Sequence, residues 1–344
     1  MSQLTVTDTV GRPGEQPGAP LLAVDDLRVE FHTREGVAKV INGVTYHVNA
    51  GETLAVLGES GSGKSVTAQA IMGILDMPPG KITGGTIKFQ GKDMLTMSAE
   101  ERRRLRGEHI AMVFQDALSA LNPTFTVGFQ IGEQFRLRRG MSRKEAKQKS
   151  IELLDQVKIP NAKQRVTEYP HQFSGGMRQR VMIAMSLALD PDVLIADEPT
   201  TALDVTVQAQ IMDLLAELQR ERQMGMILIT HDLGVVADVA DRIAVMYAGR
   251  IVEEADVHQL YAKPAHPYTI GLINSIPRLD EKGQELRTIK GLPPNLMRIP
   301  AGCPFHPRCP MAKDVCLQQL PPLLQVAPGR ASACLFAEEL VNRD

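Results

Sequence analysis

The chain has 344 residues, 43% of them hydrophobic, a formal net charge of -2 and a pI of about 6.5. That length and apolar content can bury a large core, and the near-balanced charge provides no basic field to recruit nucleic acid. No apolar run approaches the ~20 residues that span a bilayer, and the N-terminus lacks the charged-then-apolar layout of a secretion signal.

Residues 1–19 are rich in Gly, Pro and Thr and read as a flexible tail. Leu21 to Phe31, Val37 to Val48 and Thr86 to Gln90 alternate apolar and polar residues, which predicts an antiparallel layer of strands. Within that stretch, Thr53 to Leu57 is a short apolar strand that runs into Gly58-Glu59-Ser60-Gly61-Ser62-Gly63-Lys64-Ser65, with Val66 continuing into a helix. This is the G-x-x-x-x-G-K-[ST] phosphate loop: its glycines free backbone N–H groups to wrap phosphate, and the helix points its positive end at the same anion. Lys64 is expected to reach the β- and γ-phosphates and Ser65 to hold magnesium.

Further along, Ile110 to Phe114 reads as a strand ending at Gln115, and a helical insert follows. Ser142-Arg143-Lys144-Glu145 has capping-box spacing, with Ile151, Leu154 and Val157 on one face behind it. Ser174-Gly175-Gly176-Met177 opens another helix and gathers a hydroxyl and free N–H groups at its start, so it reads either as an ordinary N-cap or as a second phosphate-binding device. One ATP needs only the first device. The pair therefore suggests a nucleotide shared between two copies of the fold.

The strand Val193 to Ala196 ends in Asp197-Glu198, two carboxylates at the sheet edge where ligands of α/β proteins gather. Beside a phosphate loop, Asp197 is the expected magnesium partner and Glu198 the candidate general base for the attacking water. A helix around Ile211, Leu214, Leu215 and Leu218 leads to the strand Met226 to Thr230 and His231, and Ala244 to Val252 reads as a hairpin around Ala248-Gly249.

The last 80 or so residues are crowded with proline and hold all four cysteines, Cys303, Cys309, Cys316 and Cys334. Disulfides are disfavoured because nothing in the sequence exports the chain. Zinc knuckles of the C-x2-4-C kind are absent, whereas Cys303-Pro304 and Cys309-Pro310 suit four-thiolate ligation of a cubane cluster. Spacing leaves iron–sulfur, zinc and four unligated thiols all open.

Phe173-Ser174-Gly175-Gly176-Met177 resembles the signature motif of ATP-binding-cassette (ABC) ATPases, with Met177 in place of the more usual Gln. The resemblance implies that Ser174, Gly175, Gly176 and Met177 serve the ATP of a partner subunit. It also implies a Q-loop at Gln115 that senses the γ-phosphate and touches magnesium, a D-loop in Ala202-Leu203-Asp204, a γ-phosphate switch at His231, and adenine stacking on Phe31. Asp116-Ala117 departs from the family, which usually carries Pro after the acid. The expected fold class is α/β: a P-loop NTPase (ABC ATPase) core with an antiparallel β layer, a helical subdomain at about 118–190, and a Pro/Cys-rich C-terminal extension. The nucleotide-binding domain is drawn at 20–262 and the extension at 263–344.

The extension narrows the resemblance further. His266-Pro267-Tyr268-Thr269, Leu292-Pro293-Pro294-Asn295-Leu296 and the run from Gly302 to Pro310 resemble the C-terminal region of oligopeptide and dipeptide permease ATP-binding subunits. The likeness spans roughly residues 20 to 340. It implies ATP-driven peptide import at the cytoplasmic face of a bacterial inner membrane. The implied partners are a related second ATPase forming a heterodimer, two transmembrane permease subunits and an extracytoplasmic peptide-binding protein. It also implies a four-iron, four-sulfur (4Fe-4S) cluster on the four cysteines, with zinc as the competing metal. An importer of nickel or another small solute is the alternative. Non-transport ABC ATPases would add a coiled coil or a second ATPase domain, and the sequence has neither.

Overall fold

A computed structural model describes residues 19–201, 203–275 and 289–342. Nearly all of the tail drawn at 1–19 therefore lies outside the described residues, as does Ala202 of the proposed D-loop.

Two sheets frame the molecule. The smaller has the order β2-β1-β4-β5, all antiparallel, from β1 (Leu22–Thr33), β2 (Gly36–Val48), β4 (Gly80–Phe89) and β5 (Lys92–Asp93). It is the layer predicted from alternation, but β4 begins six residues before the expected Thr86. Gly84-Gly85 hides the start from a periodicity reading, and the pairing with β1 shifts register there, between Asp25 and Arg28.

The larger sheet has eight strands in the order β11-β12-β10-β9-β3-β8-β7-β6. Five of these form the parallel set: β3 (Thr53–Leu57), β6 (Ile110–Val113), β7 (Val193–Asp197), β8 (Gly225–Thr230) and β9 (Arg242–Tyr247). Their sequences are continuously apolar because both faces are covered. The two-residue period still sorts them: Leu54, Val56, Ile195 and Ile227 face a core shared with the antiparallel layer, while Ala55, Leu57, Leu194 and Leu228 face the helices on the other side. Each fully buried aliphatic side chain in these cores contributes about 1.5–3 kcal/mol.

At the other edge, β10 (Arg250–Asp256) closes the expected hairpin with β9 through Ala248 and Gly249, both with positive φ. The parallel sheet expected from sequence then continues as an antiparallel edge. Its last two strands, β11 (Leu324–Ala327) and β12 (Arg330–Ser332), come from the cysteine-bearing extension, with β12 pairing β10. The extension is thus part of the main sheet, and Phe305 sits in the main core at 2% exposure.

The helices follow the strands. α1 (Lys64–Met72) leaves the phosphate loop, and α2 (Ala99–Glu108) precedes β6. The expected helical insert comprises α3 (Ala117–Ala120), α4 (Val127–Arg139), α5 (Arg143–Gln156), α6 (Ala162–Arg165) and α7 (Gly175–Leu187). The capping box foreseen at Ser142 is present, with Glu145 bonded back to the Ser142 amide. α8 (Val205–Arg222) buries Ile211, Leu214, Leu215 and Leu218 as its pattern requires. α7 and α8 pack so closely at Gly176 that a Cβ there would stand 2.5 Å from Val207 Cγ1.

Candidate active site

The parallel register brings the site together. Leu57 lies opposite Thr230 on one side of β8, and Asp197 opposite Ile229 on the other, so the loops after β3, β7 and β8 emerge at one edge. Gly63 caps α1 with φ near 108°, a conformation that favours glycine. A Cβ there would also lie 2.7 Å from Ile41 Cδ1 and 2.9 Å from Val40 O. The first N–H groups of α1 have no intrahelical partner, which leaves them as donors for an anion at this turn. Ser62 Oγ is enclosed and has no hydrogen-bond partner, an orphan suited to an incoming anion. Ser60 and Gly61 are exposed, whereas Val66 is half-buried against the core beneath the antiparallel layer.

Lys64 is 5% exposed and folds back over its own loop, donating from Nζ to the carbonyls of Gly58 (2.7 Å) and Glu59 (3.1 Å). Burial pulls its ammonium below the usual lysine range, opposed by the charges of Glu198, Asp197 and Glu59. Ser65 Oγ donates to Asp197 Oδ1 at 3.0 Å. Burial raises the Asp197 carboxyl above its ordinary range, the Ser65 hydrogen bond opposes this, and Glu198 adds to it. A hydroxyl and a buried carboxylate touching beside a phosphate loop are the donor set that hard Mg2+ takes, so these residues fit that ion.

Glu198 has φ near 45°, rare for a residue with a side chain, and its amide donates to Ile229 O across the sheet edge. From there its carboxylate accepts from Gln115 Nε2 (2.8 Å) and Thr201 Oγ1 (3.0 Å), and lies 3.4 Å from His231 Nδ1. Gln115 and His231 are both exposed. The structure thus joins three sequence-predicted residues, Gln115, Glu198 and His231, around one carboxylate. Gln115 bonds Glu198 rather than the Ser65–Asp197 pair. Thr201 went unread because a Thr three residues past a carboxylate carries no distinctive signal.

Other predicted positions stand apart. Phe31 is half-buried in β1, packed against the core beneath the antiparallel layer. Ser174 and Gly175 are exposed; Ser174 Oγ accepts from Met177 N at 3.4 Å, and Met177 packs on the main core. Asp204 caps α8 by accepting from Val207 N at 3.0 Å, beside Val205, which is 82% exposed.

The four cysteines are free thiols lining one cavity together with His266, Phe305 and Phe336. Burial raises Cys303, Cys309 and Cys334, the last to about 11, with the neighbouring cysteines adding to the shift in each case. Among the described residues, however, no group of three or more His, Cys, Asp or Glu is disposed to hold a metal ion.

A phosphate loop joined to these carboxylates on a parallel sheet defines a P-loop ATPase. The family description "ABC transporter" matches residues 41–201, and "Oligopeptide/dipeptide transporter, C-terminal region" matches residues 252–316. The oligopeptide transport ATP-binding protein OppD of Salmonella typhimurium is 54% identical over 327 residues, covering 95% of this chain and 97% of that protein. The dipeptide transport ATP-binding protein DppD of Bacillus subtilis is 52% identical, covering 86% of this chain and 88% of its own length. A solved dimeric ATP-binding cassette in a post-hydrolysis state, bound to ADP and Pi, aligns with a TM-score of 0.62 at 27% identity, covering 69% of this chain and 98% of that one. The chain belongs to the ABC transporter ATPases, in the branch of oligopeptide and dipeptide transport ATP-binding proteins. It is an ATP-hydrolysing enzyme whose cofactor is Mg2+. No helix among the described residues is long and apolar enough to cross a membrane.

Proposed function

We propose that this chain is the ATPase subunit that powers import of oligopeptides or dipeptides, working at the cytoplasmic face of a bacterial inner membrane. Its partners in this reading are a related second ATPase, two transmembrane permease subunits and an extracytoplasmic peptide-binding protein. The observation that carries it is the union of the Lys64, Asp197 and Glu198 site with a C-terminal region of the peptide-transporter type.

In the mechanism, the phosphate loop and Lys64 hold the β- and γ-phosphates, and Phe31 stacks on adenine. Ser65 and Asp197, with Gln115 nearby, would hold Mg2+, which would supply positive charge to the phosphates. Glu198 takes a proton as the water oxygen attacks the γ-phosphorus and the bond to the ADP oxygen breaks. His231 and Gln115 orient that carboxylate and water. Ser174 and Gly175, left exposed at the start of α7, complete the ATP site of the second subunit, with Asp204 and Val205 at the same interface.

The isolated chain is accordingly expected to be a slow ATPase whose specific activity rises with protein concentration and rises further with the cognate partner subunits. Phosphate release measured across a dilution series checks this. A monomer that turns over at the full complex's rate, independent of concentration, would overturn the shared site.

For the extension, the reading is that Cys303, Cys309, Cys316 and Cys334 hold one 4Fe-4S cluster that orders a Pro-rich segment. Four free thiols lining one cavity, in an extension of the peptide-transporter type, support this reading. Protein purified without oxygen should contain about four irons per chain and absorb broadly at about 400 nm. Changing any one cysteine to Ser should bleach it while ATP still binds. Stoichiometric zinc without iron in that preparation would replace the cluster with a zinc site.

A further inference from the structure

The extension grips the phosphate loop itself. Arg308, one residue before Cys309, has a side chain 5% exposed and donates from both guanidinium NH2 groups to the Glu59 carboxylate, at 2.6 and 2.9 Å. The same guanidinium lies over the Tyr247 ring, 5.9 Å from its centroid. The Glu59 amide, in turn, donates to Tyr268 Oη at 2.8 Å. Tyr247, Tyr268 and Phe305 pack edge-on and tilted around this point, with centroids 4.6 to 5.3 Å apart.

Glu59 is the second residue of the phosphate loop, and its carbonyl accepts at 3.1 Å from Nζ of Lys64, the side chain expected to meet the γ-phosphate. An acidic residue there is electrostatically adverse, because ATP brings several negative charges to the same loop. A free Glu59 would repel the nucleotide and compete for Lys64. The bidentate arrangement offsets both costs, since an arginine fork occupies both carboxylate oxygens and neutralises their charge.

The geometry points to Arg308 as a positioning residue that neutralises and anchors Glu59, so that the C-terminal extension sets the ATP affinity of the phosphate loop. Tyr268 holds the backbone of the same residue, so side chain and main chain of Glu59 are both tied to the extension. This role needs no metal in the cysteine cavity and stands apart from the cluster reading.

The test measures equilibrium binding of Mg-ATP to the full chain carrying Arg308→Gln, Glu59→Gln, or both. Arg308→Gln should weaken binding about 10-fold by leaving an uncompensated charge in the loop. Adding Glu59→Gln to that variant should restore most of the loss, because the adverse charge is gone. Glu59→Gln alone should bind ATP tighter, by about 3-fold, since an anion leaves and a cation remains. A double variant as weak as Arg308→Gln would mean that the pair is only a strut, and would overturn the inference. Weakened binding by Glu59→Gln alone would overturn it too, and that variant keeps the test decisive if Arg308→Gln fails to fold.

Discussion

Glu198→Gln is expected to keep ATP bound while slowing hydrolysis about 10²- to 10⁴-fold, the usual share of a general base. The amide can still accept hydrogen bonds from Gln115 and Thr201, so the loop after β7 should hold its shape. It cannot take a proton from water, so only the chemical step is lost. Binding by titration and turnover by phosphate release separate the two effects. Lys64→Ala, by contrast, should weaken binding itself, because it removes the cation enclosed by the phosphate loop. Near-normal turnover by the Glu198→Gln protein would show that another group activates water.

The second large effect lies in the seam between the nucleotide-binding core and the extension. Glu253 of β10 is fully buried and accepts from the Ala265 amide at 2.6 Å and from Arg330 of β12 at 3.3 Å. Arg330 is 5% exposed, so neither ion has water to fall back on. Arg330→Met should cost about 3–5 kcal/mol, the penalty of leaving a buried charge unpaired. Burial already raises the Glu253 carboxyl, with the Ala265 amide and Arg330 opposing. Without Arg330 its folded value rises further, so Glu253 takes up a proton more readily in the folded protein. For an acid raised above its unfolded value, stability is present at low pH and lost as pH climbs through the folded value. The variant's deficit in urea unfolding should therefore shrink as the pH falls and widen as it rises. Glu253→Gln in the same chain should recover much of the loss and flatten that dependence. An Arg330→Met protein of wild-type stability at every pH would mean that the pair carries no net load.

Much of the site could be read without coordinates, because phosphate binding at a loop is a local property of the backbone. Glycines at fixed offsets, a lysine and a hydroxyl specify it within eight residues, from Gly58 to Ser65. The helix start at Ser174 and the capping box at Ser142 were legible for the same reason, since each satisfies N–H groups three residues away. Strands β3, β7 and β8 could be found from apolar runs, and the carboxylates at the end of β7 from their place after one. β4 was only half visible, because Gly84-Gly85 carries no side chain to alternate.

What tertiary structure alone decided is who meets whom. Register across β6, β7 and β8 brings Gln115, Glu198 and His231, spread over more than a hundred positions, around one carboxylate; no local period encodes such a grouping. The same is true of the extension. Proline-rich sequence reads as an appendage, yet β12 joins the main sheet and Arg308 reaches Glu59 from 249 positions away. Those contacts are fixed by burial of Phe305 and by the need to pair Glu253 with Arg330, forces that exist only once distant segments have excluded water between them.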